Sequence, residues 1–190
     1  MIYELRQYTL HPGRRETLIA LFEREFLTGQ HDAGMRVDGQ FRDLADPDRF
    51  VWLRSFTDMA ARAASLTAFY DGPVWKAHRD AANATMIDSD DVLLLRGTLH
   101  RPPPRPGTVY VVTLHAADTV EHPAVEPIGE PIGVLETENA ENNFPRLPIR
   151  TGERLRVSIE RFPDEPTARR LAPPEPDRLH LTPTTGSALH

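Results

Sequence analysis

Side chains alternate in character along Ile2–Leu10, a stretch rich in aromatic and branched residues, and this period of two predicts a strand. His11-Pro12-Gly13 breaks it. From Arg14 to Thr28 the period lengthens: Leu18, Ile19, Phe22 and Phe26 recur at helical spacing, and Gly29 is placed to end the helix. Met35–Leu44 and Arg49–Phe56 are two strand-like runs joined by the turn-forming Ala45-Asp46-Pro47-Asp48, which predicts a hairpin. Asp58 is positioned to cap a second helix that reaches about Phe69. Gly72 interrupts it, and Pro73 suits the first turn of a short third helix carrying Val74 to about Ala84. Asp91–Arg96 closes the unit as a strand, so the order is βαββαβ.

Arg101-Pro-Pro-Pro-Arg-Pro-Gly107 follows, with five of seven residues Pro or Gly, and reads as a stiff linker. It divides the chain into a first half, residues 1–100, and a second, residues 108–190. The second half repeats the four-strand rhythm at Thr108–Leu114, Ile132–Glu138, Arg154–Phe162 and Arg178–Thr182. Ser55-Phe56-Thr57-Asp58 and Arg161-Phe162-Pro163-Asp164 occupy matching places at the ends of the two third strands. The helices of the second half are poor: residues 117–131 hold three prolines, and only Glu165–Leu171 has helical character near the other position.

Strand parity separates two faces. In the first half the odd positions Leu5, Val37, Phe41, Val51, Leu53, Leu93 and Leu95 are apolar and are expected to meet the helices. The even positions, Glu4, Arg6, Tyr8, Asp38, Gln40, Arg42, Trp52, Arg54 and Arg96, share the opposite face, and two such faces are expected to enclose a charged lumen. Those charges either pair with one another across the sheets, or Arg6, Arg54 and Arg96 form an anion-binding wall.

Composition narrows the partners. Lys and Arg number 22 against 28 Asp and Glu, a formal charge of −6, and the basic residues are scattered, which argues against nucleic acid and anionic membrane. There is no cysteine, so disulfides, thiolate metal sites and Cys nucleophiles are excluded. No segment approaches the roughly 20 apolar residues of a membrane span, and a cytoplasmic protein is expected. The histidines show no H-E-x-x-H spacing, and no metal is expected. Gly-rich phosphate loops, a G-x-S-x-G elbow and C-x-x-C pairs are missing too, so no cofactor is expected.

Tyr3-Glu4-Leu5-Arg6-Gln7-Tyr8-Thr9-Leu10-His11-Pro12-Gly13 resembles the opening signature of NIPSNAP proteins, and the resemblance continues through Gly39-Gln40-Phe41-Arg42 and Phe50–Phe56. Residues 69–78 and 82–88 are similar to a bacterial branch of that family. Residues 138–150 look like a loop of its tandem members, with the preceding helix shortened. The resemblance implies an α+β dimeric α/β barrel fold, in which two ferredoxin-like halves pack together, here within one chain. Its relatives include cofactor-independent monooxygenases, haem-degrading enzymes and isomerases, so the fold alone decides nothing.

Two constellations can carry chemistry. On the third helix Trp75, His78 and Ala82 lie at i, i+3 and i+7, with Tyr70 just upstream; the stripe either lines a pocket or is packing with a His at its wet edge. Histidine exchanges a proton near neutral pH, which makes His78 the candidate base and Arg54 the stabiliser of the anion formed. Trp52 and Arg6 approach from the sheet, and His31, in the loop after the first helix, stands where it can gate a pocket mouth. Asn142–Pro148 is expected either to cap the barrel end or to tie up backbone groups in a tight loop. The functional reading is a cofactor-independent enzyme acting on a small, largely apolar carbonyl or phenolic metabolite. Its alternative is a non-catalytic ligand-binding or assembly module, in either case a homodimer.

Overall fold

The computed structural model describes residues 1–116 and 126–190. The first half contains β1 (Ile2–Leu10), α1 (Arg15–Leu21), a π-helical turn (Phe22–Phe26), α2 (Leu27–Asp32), β2 (Arg36–Asp43), β3 (Arg49–Phe56), α3 (Met59–Tyr70), α4 (Pro73–Asn83) and β4 (Met86–Leu99). The second contains β5 (Val109–Ala116), β6 (Glu130–Thr137), β7 (Leu155–Phe162), α5 (Glu165–Leu171) and β8 (Arg178–Pro183). Most of the three-proline stretch 117–131 lies outside the described residues. The first helix runs past Gly29 to Asp32 and is ended by Gly34, whose φ of 88° lets the Met35 amide donate back to the Gln30 carbonyl at 2.9 Å; Gly29 stays helical and packs closely on Val74 and Phe69. β4 is also longer than the apolar run Asp91–Arg96 suggested, since its ends pair with β1 and β6 through backbone bonds that side-chain character does not report.

The strands form one closed antiparallel barrel in the order β1-β3-β2-β8-β5-β7-β6-β4. Read separately, the first half runs β4-β1-β3-β2 and the second β8-β5-β7-β6, the same ferredoxin-like order twice. Two seams join them: Phe41–Asp43 of β2 on Leu181–Pro183 of β8, and Leu95–Leu99 of β4 on Gly133–Thr137 of β6. The second seam is close, for a Cβ on Gly97 would come within 2.7 Å of the Val134 carbonyl. The repeated Phe-x-Asp places work alike in both halves. Asp58 accepts from the Ala61 amide at 2.8 Å to cap α3, and Asp164 accepts from the Thr167 amide at 2.7 Å to cap α5.

The parity is as the alternation implies, but its orientation is reversed. Leu5, Phe41, Val51, Leu53, Leu93 and Leu95 fill the barrel interior, where they meet Tyr110, Val112, Val157, Ile159 and Leu181 from the other half. The lumen is therefore an apolar core, not a charged cavity. An eight-stranded barrel is just wide enough to be packed by strand side chains. A charge placed there would find few hydrogen-bonding partners. The even positions face the helices, where Tyr8, Phe50, Trp52 and Phe56 pack with Leu18, Phe22, Phe26 and Phe69. Helices and loops bring polar partners to that side, so that is where the buried charges sit.

Candidate functional site

β1 sets Glu4, Arg6 and Tyr8 on the helix-facing side, and the β1–β3 register places Glu4 opposite Arg54 and Arg6 opposite Trp52. Arg54 donates to Oε2 of Glu4 from Nε at 2.8 Å and Nη2 at 2.6 Å; Arg6 Nη1 donates to the same oxygen at 2.8 Å. From α3, Arg62 Nε donates to Oε1 at 2.7 Å. All four side chains are buried, none above 2 % exposure. Burial pushes the Glu4 carboxyl up, but Arg54, Arg6 and Arg62 together outweigh it and hold the group well below the carboxylate range. Glu4 is thus an anion shared by three cations.

The remaining donors reach across the fold. Arg54 Nη1 donates to Gln30 Oε1 at 3.2 Å, and Arg6 Nε to the Tyr8 hydroxyl oxygen at 3.1 Å. Arg62 Nη1 donates to Asn142 Oδ1 at 3.1 Å and Asn143 Oδ1 at 2.8 Å. The Asn142–Asn143 loop thus clamps α3 from the second half, with Asn143 Nδ2 donating to the Met59 carbonyl and Phe144 packed on Tyr70. Within the loop the Phe144 amide donates to Asn142 Oδ1 at 3.1 Å and Asn142 Nδ2 donates to the Leu147 carbonyl at 2.9 Å, so the asparagines tie up backbone groups in a tight loop. Arg62 Nη2 and Trp52 Nε1 are buried without an acceptor.

Beside this cluster, between sheet and helices, lies a cavity of about 30 Å³. Tyr8 and Trp52 line it from the strands, Gln30 from α2, and Tyr70, Trp75 and several phenylalanines complete the wall. The Arg54 guanidinium lies 5.0 Å from the Trp52 ring and 6.0 Å from Tyr70; that of Arg6 lies 5.5 Å from both Tyr8 and Trp52. Burial raises the Tyr8 hydroxyl pKa, with Arg6 opposing, so Tyr8 keeps its proton at neutral pH.

The sequence-derived candidates divide accordingly. Trp52, Tyr70 and Trp75 line the cavity; Arg6 and Arg54 stand directly behind its aromatic wall. His78 lies outside the lining, on the partly exposed edge of α4, with Nε2 3.3 Å from Glu25 Oε2. The His31 side chain is 83 % exposed beside Asp32 at the end of α2. Arg96 is exposed near Glu136 and does not join Arg6 and Arg54. Arg62 and Gln30 were missed. The signal for Arg62 was present, because Arg62, Ser65, Leu66 and Phe69 form one i, i+3, i+4, i+7 stripe that is buried as a whole. Among the described residues no three His, Asp or Glu side chains group as metal ligands, and no helix is long and apolar enough to cross a membrane.

Two solved structures share this fold along nearly the whole chain. A candidate monooxygenase from Fusobacterium nucleatum superposes with a TM-score of 0.60 at 9% identity, covering 96% of this chain and 91% of its own. A second, from Lactobacillus acidophilus, gives 0.56 at 13%, covering 96% and 93%. At these identities the likeness is one of fold. A NIPSNAP-like domain protein from Burkholderia xenovorans is 25% identical over 54% of this chain and 89% of its own, with a TM-score of 0.47. No curated protein matches the chain. The NIPSNAP family pattern matches residues 3–99, just over half of the chain, and this protein belongs to the NIPSNAP family.

Proposed function

We propose that the first half of this protein binds a small, largely apolar molecule bearing an oxygen acceptor, in the cavity between β1, β3 and the helices. The observation that carries this reading is the kind of polar group offered there. Gln30 has its Oε1 engaged by Arg54, which leaves its Nε2 as a donor; Tyr8 accepts from Arg6 and keeps its own proton to give; and the Trp52 N–H has no acceptor. Aromatic walls with a few convergent donors suit a carbonyl, phenol or related ligand. Such donors also stabilise an oxyanion, which is what a cofactor-independent reaction on such a molecule would need.

Catalysis is the second reading. The described residues lining the cavity include no carboxylate or imidazole, so a proton-abstracting role for His78 requires α4 to move it inward. Binding therefore has the stronger support. A homodimer belongs to the same proposal, through surfaces other than strand edges, since both barrel seams are closed within one chain. Native mass spectrometry and tryptophan fluorescence against a panel of small aromatic ketones, phenols and carboxylates test the reading. One saturable equivalent per chain is expected, and no binding by any of them would overturn it.

A further inference from the structure

We infer that the ligand of this cavity is an anion, a small carboxylate with an aromatic or similarly apolar body, drawn there by the buried Arg6–Arg54–Arg62 cluster. The inference rests on the binding reading above and specifies its ligand class. Three guanidiniums surround one carboxylate, which leaves two positive charges in excess; among the described residues no other acidic side chain forms an ion pair with any of the three. A buried charge is tolerated when it is paired, and water answers hydrogen-bond donors without neutralising charge.

Arg161 shows how this same fold treats a buried arginine that has only a structural task. It is held by both oxygens of Glu130 and by the Pro103 carbonyl, one carboxylate for one guanidinium. The first-half cluster departs from that pattern in charge and in hydrogen bonding alike. Arg62 Nη2 and Trp52 Nε1 have no acceptor, and Arg6 Nη2 reaches only the Ser89 carbonyl at 3.5 Å.

The two observations meet at the cavity wall. Trp52 lies against both guanidiniums and lines the cavity, and Tyr8 links Arg6 to it by a hydrogen bond. An oxyanion there would sit in a positive field beside aromatic rings, with the acceptor oxygens of Tyr8 and Gln30 already taken by Arg6 and Arg54. A carboxylate fits that arrangement better than a phosphate, whose larger oxygen set would be stranded among aromatic walls. The free volume of about 30 Å³ is room for about two waters, the two places a carboxylate's oxygens would take. The apolar body would displace Trp75, a partly buried wall residue on the short helix α4.

Calorimetric titration of the full chain at neutral pH with benzoate, its neutral isostere benzamide and inorganic phosphate tests the inference. Benzoate is expected to bind roughly tenfold or more tightly than benzamide, a difference matching one charge-assisted contact. Trp52→Phe, which removes the N–H and keeps a ring, should weaken both ligands and benzoate the more, because the lost hydrogen bond is charge-assisted only for the carboxylate. Arg62→Gln, checked for folding by circular dichroism, should also erode the preference. Equal binding of benzoate and benzamide would overturn the anion inference while leaving the binding reading intact. Failure of both to bind would overturn the two together. Phosphate competing as well as benzoate would mark a generic anion site and overturn the carboxylate assignment.

Discussion

Glu4 and Arg54 face each other across the β1–β3 ladder, and two guanidinium nitrogens of Arg54 converge on one oxygen of Glu4 at 2.8 and 2.6 Å. Glu4→Ala would leave three buried cations without their shared counter-ion. Removing one partner of a buried pair typically costs about 3–5 kcal/mol, and a third cation raises the penalty. Urea unfolding should place Glu4→Ala in or above that range, and Glu4→Ala/Arg54→Met should cost less than the sum of the singles. A coupling that changes when a ligand is bound would show that the pair also serves binding.

The pH dependence follows from two groups with opposite charge types and the same sign of effect. His180, 2 % exposed on β8, has its pKa lowered, first by burial and then by Arg169. The unfolded chain takes up that proton near pH 6.5, the folded chain at lower pH. Stability is thus complete above about pH 6.5 and declines as pH falls through the folded value. Glu4 is depressed below the usual carboxylate range, so its contribution is present above about pH 4.5 and is lost on further acidification. Melting temperature against pH should show a plateau and then both declines, and His180→Gln should remove the first.

Leu53 lies in the barrel interior at 1 % exposure, and Leu53→Asp would bury an unpaired carboxylate among aliphatic side chains. A cost of several kcal/mol is comparable to the stability of the whole fold. Circular dichroism should show the variant largely unfolded. Ile87→Asp, at a 58 % exposed position on β4, is the control and should melt like the parent.

Asp58 caps α3, the helix that delivers Arg62 to Glu4. Asp58→Ala should lower stability by about 1 kcal/mol, the usual value of an N-cap. Because Arg62 sits one turn inside that helix, the variant should also weaken ligand binding more than an equally destabilising change elsewhere. His78→Ala, by contrast, removes a half-exposed pair with Glu25 and an edge contact with Phe26, and should lower the melting temperature only slightly while changing ligand affinity less than Asp58→Ala does.

Much of this architecture is legible in the sequence. Alternation located the strands, Asp58 and Pro73 marked two helix starts, and the repeated strand rhythm foretold the two halves. The side-chain period identified which residues share a face, but not which layer each face meets. In this barrel Leu53 and Trp52 are both buried, one in the lumen and one under helices, so hydrophobicity alone does not distinguish inside from outside. Burial of charge does, because Glu4, Arg6 and Arg54 need partners that only α2, α3 and the Asn142 loop supply. Trp52, Tyr70 and Trp75 were legible as aromatics near one another. Arg62 was obscured because an arginine on a helix ordinarily reads as solvated.

The seams β2·β8 and β4·β6 also bear on what evolution can do with this protein. In a barrel assembled from two identical copies, every substitution is made twice, so a change that sharpens one site alters its twin and the edges between them. Closing both seams within one chain breaks that bond. The elements over β5–β8 can change while Glu4, Arg54 and the cavity above them stay fixed, and through the Asn142–Asn143 loop this half braces the helix of its neighbour.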